Sequence, residues 1–142
     1  MTENTGGMRD RAPGSRGRTT IADVVVEKIA GMAARDVLGV HALGSGFARS
    51  MGSMRERMPG AGSGKSVTRG VSVEVGELQA AIDLEIVVDY GVSITDVASD
   101  VRENVISAVE RMAGLEVVEV NIAVSDVKLP DEEDEGEQQR VQ

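Results

Sequence analysis

Residues 58–70, MPGAGSGKSVTRG, contain a Gly-Lys-Ser sequence like the one that ends the phosphate-binding loop of nucleotide-binding proteins. Gly64, Lys65 and Ser66 match the last three positions of G-x-x-x-x-G-K-S/T, in which backbone amides and the lysine hold phosphates. The first glycine of that motif would fall at Pro59, whereas Gly60 comes one residue too late. A strand-like segment also follows the stretch, where a helix N-terminus should receive the phosphates. We therefore interpret the stretch as a flexible loop and expect no nucleotide there.

The chain contains a single histidine, His41, a residue type that can take part in acid–base chemistry. It lies near the end of a short strand-like segment and has no obvious Cys, Ser or Asp partner in the sequence. The chain has no cysteine, which excludes thiol nucleophiles, thiolate metal sites and disulfides. We expect His41 to be a structural or surface residue.

Acidic residues alternate with apolar ones in the strand-like segments, and the alternation places them on one outward sheet face. The acids are Glu74, Asp83, Glu85, Asp89 and Glu119, and the same face is predicted to carry Ala81, Val87, Val117 and Ala123. Paired carboxylates can perform acid–base chemistry or bind a divalent cation, but alternation alone places acids on any solvated face. We expect no catalytic residue, no metal and no cofactor here. The apolar members favour a docking or self-association surface.

A second candidate surface lies in the Gly-rich connection of residues 44–70. Its apolar residues recur at i, i+4, i+7 and i+11, as on one side of a short helix. They are Phe47, Met51, Met54 and Met58, and the flanking basic residues are Arg49, Arg55 and Arg57. A basic amphipathic segment of this kind contacts a membrane surface or a partner, or else packs as a lid on the domain core.

Two helices and four strands would position these residues. Thr20 and Asp23 form a capping pattern that predicts the start of a first helix. The apolar stripe of this helix contains Ile21, Val25, Ile29, Met32 and Ala33. Residues 37–43 are predicted to form a short strand. Alternation predicts strands at 71–75 and 82–90 with a turn near Glu77.

A second helix is predicted to begin at Ser93 and to end at Gly114. Its stripe contains Val97, Ala98, Val101, Val105, Ala108, Val109 and Met112. A last strand follows over residues 117–124, with Val118, Val120, Ile122 and Val124 on one side.

The order α-β-β-β-α-β predicts an α+β two-layer sandwich, in which two helices cover one face of a mixed four-stranded sheet. The 142 residues allow one domain at 19–129 between two disordered tails. The tail of residues 1–18 is rich in Arg and Gly, and residues 130–142 are acidic. The net charge of −9 disfavours nucleic-acid binding. No run of apolar residues is long enough to span a membrane, so we expect a cytoplasmic protein.

The segments VEVGE, AIDLEIVVDYG and GLEVVEVNIAV, in this order, resemble the alkaline shock protein 23 / general stress protein 24 family of bacterial envelope stress response proteins. The segment TTIADVVVEKIAGMAARDVLGVHAL is similar to that family's first helix and strand, so the resemblance covers roughly residues 19–127. It implies a non-enzymatic cytoplasmic protein that self-associates and lies near the membrane through a membrane-anchored protein partner. The Arg/Gly-rich N-terminal extension and the acidic tail depart from the family.

Two alternatives come from the residues themselves. One is a regulatory protein that binds a small molecule or a metal through the acidic sheet face or the Gly44–Gly70 loop. The other is a nucleic-acid adaptor that uses the arginines of residues 1–18, where four Arg stand against two acids.

Overall fold

A computed structural model describes residues 12–44 and 68–132 of the chain. After a short 3-10 turn at Pro13–Ser15, the elements are α1 (Asp23–Arg35), β1 (Val40–Leu43), β2 (Val71–Val75), β3 (Gln79–Asp89), α2 (Ile94–Ala113) and β4 (Glu116–Lys128). The described part therefore confirms the α+β order. Residues 1–11, 45–67 and 133–142 lie outside the described residues, so the predicted disorder of the tails and flexibility of the loop stay predictions.

The sheet is built around β3. Both β1 and β2 pair antiparallel with β3, whereas β4 pairs parallel with it, so the sheet is mixed as predicted. β1 lies along the C-terminal half of β3, with Leu43 opposite Ile86, and β2 lies along its N-terminal half, with Val71 opposite Leu84. β1 and β2 thus lie end to end on one edge of β3, and β4 occupies the other edge.

The ends of α2 follow the sequence signals. The Ser93 side chain accepts a hydrogen bond from the Asp96 amide at 3.4 Å, and Gly114 ends the helix in the left-handed conformation at φ 73°. α1 differs, since its first helical residue is Asp23, its N-cap is Ala22, and no side chain caps it. The predicted pairing of Thr20 with Asp23 is therefore wrong.

The core lies between the two helices and the face of β3 that carries alternate apolar residues. α2 contributes Val97, Val101, Val105 and Val109, and β3 contributes Ala80, Ile82, Leu84, Ile86 and Val88. Burying these aliphatic side chains supplies the main stabilisation of a core that contains no described aromatic residue.

The apolar stripe of α1 is rotated from the predicted one. Val26, Ala30, Ala33 and Ala34 are buried, whereas Val25 and Met32 are 43% and 51% exposed. A helix this rich in apolar residues offers more than one stripe at helical spacing.

Two predicted orientations in the strands also need correction. Val117 is buried in the core cluster and does not lie on the outward face, because Val118 forms a bulge that shifts the alternation of β4. Val118 itself is 51% exposed. Tyr90 follows the end of β3 and is 65% exposed, so it does not continue the buried side of that strand.

Candidate interaction surfaces

The outer face of the sheet, defined as the face opposite the two helices, carries the predicted acidic residues. Strand registers place Glu74, Ala81 and Glu119 in one row across β2, β3 and β4. The next row contains Ser72, Asp83 and Asn121, followed by Glu85 beside Ala123 and by Asp89 beside Lys128. Both described helices pack on the other face, so the outer face is a surface with acidic rows and small apolar gaps.

Asn121 organises the centre of this outer face. Its side-chain amide donates to Asp83 Oδ1 and to Glu119 Oε2, each at 3.0 Å. One neutral donor group thereby holds two carboxylates from neighbouring strands in fixed positions. This role is not evident from the sequence, although the alternation places Asn121 on the same side as Glu119.

The side chains of His41 and Asp89 are in contact at one end of the outer face. His41 Nδ1 lies 3.4 Å from Asp89 Oδ1, and the two side chains are 22% and 51% exposed. The sequence offered no partner because the two residues come together only through the antiparallel pairing of β1 with β3. An irregularity in β1 between Val40 and Ala42 brings His41 to this position.

Val87 differs from the other predicted members of the outer face. It lies opposite Ala42 in β1 and Asp126 in β4, and it is only 2% exposed. It is not part of the core cluster that the helices cover. Val87 is therefore a buried residue in the sheet and does not contribute to an exposed surface.

A shallow groove runs between the helices on their solvent side. It measures about 410 Å³, and its lining includes Ile29, Met32, Ala108 and Met112 beside Lys28 and Arg111. Met32 and Met112 are exposed to 51% and 64%. Flexible thioether side chains of this kind adapt to varied apolar partners. The groove is a second exposed apolar feature, although both methionines belong to the predicted apolar stripes of their helices.

The residues of the basic amphipathic segment cannot be placed. All of them lie outside the described residues, namely Phe47, Arg49, Met51, Met54, Arg55, Arg57 and Met58. That candidate surface stays a prediction.

Two other kinds of site, a metal centre and a membrane-spanning helix, are absent from the described ranges. Within residues 12–44 and 68–132, no three His, Asp or Glu side chains are grouped as the ligands of a metal ion are. In the same ranges, no helix has the length and apolar content that crossing a bilayer requires.

Comparison with known proteins identifies relatives along most of the chain. The model of the Asp23 family (named after alkaline shock protein 23, not after the residue of that number), described as having a cell envelope-related function, matches residues 11–129. A stress response regulator gls24 homolog from Streptococcus pyogenes is 35% identical over 120 residues, which cover 84% of this chain and 64% of that protein. The chain therefore spans less than two thirds of the length of the streptococcal relative.

Two Bacillus subtilis proteins are also similar. YqhY is 37% identical over 108 residues, covering 76% of this chain and 75% of YqhY. YloU is 31% identical over 113 residues, covering 80% of this chain and 90% of YloU. No solved structure matches the chain.

Proposed function

The chain belongs to the Asp23 family, whose function relates to the cell envelope, and from this membership we propose a non-enzymatic role in the envelope stress response. The protein acts on the cytoplasmic side of the envelope by binding a membrane-anchored protein partner and by associating with further copies of itself. The family membership is the observation that carries this proposal. The name of the streptococcal relative, a stress response regulator, supports the stress-related part.

The outer face of the sheet supports binding of a protein. Neither described helix covers it, and a sheet in a two-layer sandwich that is open on one side is available to a partner. Ala81 lies beside Glu119 and Ala123 lies beside Glu85, and both alanines are small enough for close approach. The interface that fits this face is a polar one with short apolar contacts.

The charge of the outer face indicates the chemistry of the partner. Asp83 and Glu119 are exposed, and the Asn121 side chain donates to both carboxylates, so two acceptors lie close together on this face. Arginine and lysine side chains are the donors that match fixed carboxylates, and opposite charges increase the rate of association. We therefore propose that the partner presents a basic segment to the outer face.

The test is affinity purification of the full chain from the membrane and soluble fractions of cells, with identification of the captured proteins. The variant Asp83→Lys with Glu119→Lys reverses charge at the centre of the outer face. A matched control, Asp100→Lys with Glu103→Lys, makes the same change on exposed positions of α2. We expect an envelope protein to be captured by the unmodified chain and by the control, and lost from the outer-face variant.

Two results would contradict the proposal. If no envelope protein is captured by any form of the chain, the envelope-associated role through a partner loses its support. If capture is equal for the outer-face variant and the control, the partner binds elsewhere, and the groove between the helices becomes the next surface to test.

A further inference from the structure

Within residues 12–44 and 68–132, no strand pairs with one edge of β4. This strand is 13 residues long, and among the described strands only β3 pairs with it. Its central stretch, VNIAV at residues 120–124, contains no charge and no proline. Exposed strand edges of this composition pair readily with another strand, and proteins commonly protect them with charges, prolines or bulges.

The ends of β4 direct their backbone groups toward β3. The Glu116 amide donates to the Leu78 carbonyl at 2.9 Å, and the Lys128 carbonyl accepts from the Tyr90 amide at 3.0 Å. Backbone groups at these two positions are therefore not available at the free edge.

The centre of β4 presents backbone groups to the free edge. The Val120 carbonyl accepts a hydrogen bond from Arg102 Nε of α2 at 3.1 Å, which shows that it points away from β3. Alternate residues of a strand direct their N–H and C=O groups to the same side. Ile122 and Val124 therefore also present an amide and a carbonyl to the free edge.

The pattern of β4 is symmetric about Ile122. Val120 and Val124 lie two residues to either side, and both pair with inward-facing residues of β3. One bulge interrupts the register between Val117 and Val120, and a second interrupts it between Val124 and Val127. Beyond the bulges Val117 and Val127 again face inward, each five residues from Ile122. The inward-facing side chains of β4 are therefore placed symmetrically about Ile122.

We propose that a second copy of this chain pairs antiparallel with β4, about a two-fold axis at Ile122. In this register Val120 faces Val124 of the second copy, so the inward side chains of both copies lie on the same face. Glu116 then faces Lys128, which places opposite charges together at both ends of the interface. The half-buried Ile122 and Val124 become more deeply buried, and both helix layers cover one continuous sheet.

The side chains of α2 that reach β4 are compatible with this pairing. Arg102 occupies one lone pair of the Val120 carbonyl, and a carbonyl oxygen accepts a second hydrogen bond. Glu110 Oε2 accepts from the Val117 amide at 3.1 Å, but Val117 lies beyond the bulge. The shared ladder is thus confined to residues 120–124, where the two-fold register gives about six backbone hydrogen bonds.

This inference rests on the proposed self-association, and its test uses the absence of cysteine from the chain. In the proposed register Asn121 faces Ala123 of the second copy as a non-hydrogen-bonded pair, with about 4.5 Å between Cα atoms, which suits a disulfide. Full-length Asn121→Cys and Ala123→Cys are prepared separately, mixed and oxidised. We expect a disulfide-linked dimer in the mixture and at least a tenfold lower yield from either variant alone. Identical positions are about 8 Å apart in this register.

A matched control mixes Asn121→Cys with Ser72→Cys, whose cysteine lies on the same face but on β2 at the other edge of β3. We expect no linked dimer from this pair. Circular dichroism of each variant verifies that it is folded, and sedimentation equilibrium of the unmodified chain reports whether it self-associates.

The outcomes separate the interface from the self-association on which it rests. Dimers in sedimentation without cross-linking in the Asn121→Cys and Ala123→Cys mixture would overturn the β4 interface and leave self-association in place. Equal linking by the single variants would overturn the register. A chain that stays monomeric at all concentrations and does not cross-link would overturn both.

Discussion

Gly44 and Gly70 share one position in the sheet, although 25 residues separate them in the chain. The Gly44 amide donates to the Glu85 carbonyl at 2.7 Å, and the Glu85 amide donates to the Gly70 carbonyl at 2.8 Å. In an uninterrupted antiparallel ladder a single residue would make both of these hydrogen bonds. β1 and β2 are therefore two halves of one strand, which the chain leaves at Gly44 and rejoins at Gly70.

Replacing Gly70 with alanine should destabilise the fold strongly. Gly70 has φ +78°, and a Cβ at this position would come within 2.7 Å of the Gly44 Cα. Backbone strain and a clash between two backbone segments then add, so we expect a loss of about 2 kcal/mol or more in the free energy of unfolding. Urea denaturation followed by circular dichroism measures it.

Gly91→Ala is the matched control for this prediction. Gly91 also has a positive φ, +102°, but no atom lies within 4 Å of the added Cβ. Only the conformational strain applies there, which is about 1 kcal/mol. Equal losses in the two variants would show that the contact between Gly44 and Gly70 is not a tight one.

Removing most of the chain between β1 and β2 should leave the fold intact. Deletion of residues 47–66 keeps Gly44, Gly70 and the turn in which the Val71 amide donates to the Thr68 carbonyl. Closing a shorter loop costs less entropy, so we expect the free energy of unfolding to change by less than about 2 kcal/mol. The measurement is a two-state urea transition with unchanged helix and strand content.

Loss of the cooperative transition in this deletion variant would contradict the interrupted-strand arrangement. The same variant lacks every residue of the predicted amphipathic segment, from Phe47 to Met58. If it folds but no longer captures the envelope partner, that segment is part of the interaction surface.

The sequence was sufficient for the fold where local signals and periodicity agree. Ser93 and Gly114 delimit α2 as predicted, and the alternation of β3 assigns its two faces correctly. The predicted orientation is wrong where one extra residue shifts the alternation of a strand. Val118 forms such a bulge in β4, and Val117 therefore faces inward. In α1, apolar residues are too numerous for periodicity to select one stripe, so the predicted stripe includes Val25 and Met32, which are exposed.

The candidate surfaces were less predictable because they depend on contacts across strands. The partners His41 and Asp89 are far apart in sequence, and only the pairing of β1 with β3 brings them together. Asn121 was visible as an outward residue, but its two carboxylate partners follow from the register of β4 with β3. The free edge of β4 requires the strand order, which the sequence did not provide.

Truncation of Val105 should cost far more stability than truncation of Met112, although the two residues belong to the same predicted stripe. Val105 is fully buried, whereas Met112 is 64% exposed at the rim of the helix groove. We expect Val105→Ala to lose about 2 kcal/mol through lost burial and a residual cavity. Met112→Ala should lose less than about 0.5 kcal/mol. Thermal and urea unfolding of both variants provide the comparison.

Asn104 connects the two helices, and its removal should destabilise their packing. Its side-chain amide donates to the Ala33 carbonyl at 2.7 Å, within the last turn of α1, where carbonyls lack a partner in the helix. Asn104→Ala leaves this partly buried acceptor without that donor, and we expect a loss of about 1 kcal/mol in the free energy of unfolding. Asn104→Asp should lose at least as much, because a carboxylate cannot donate to a carbonyl.

Asn121→Ala is the control, since its two hydrogen bonds are exposed on the outer face and should contribute less than about 0.5 kcal/mol. Equal losses for Asn104→Ala and Asn121→Ala would mean that the helix-to-helix hydrogen bond contributes no more than a surface one.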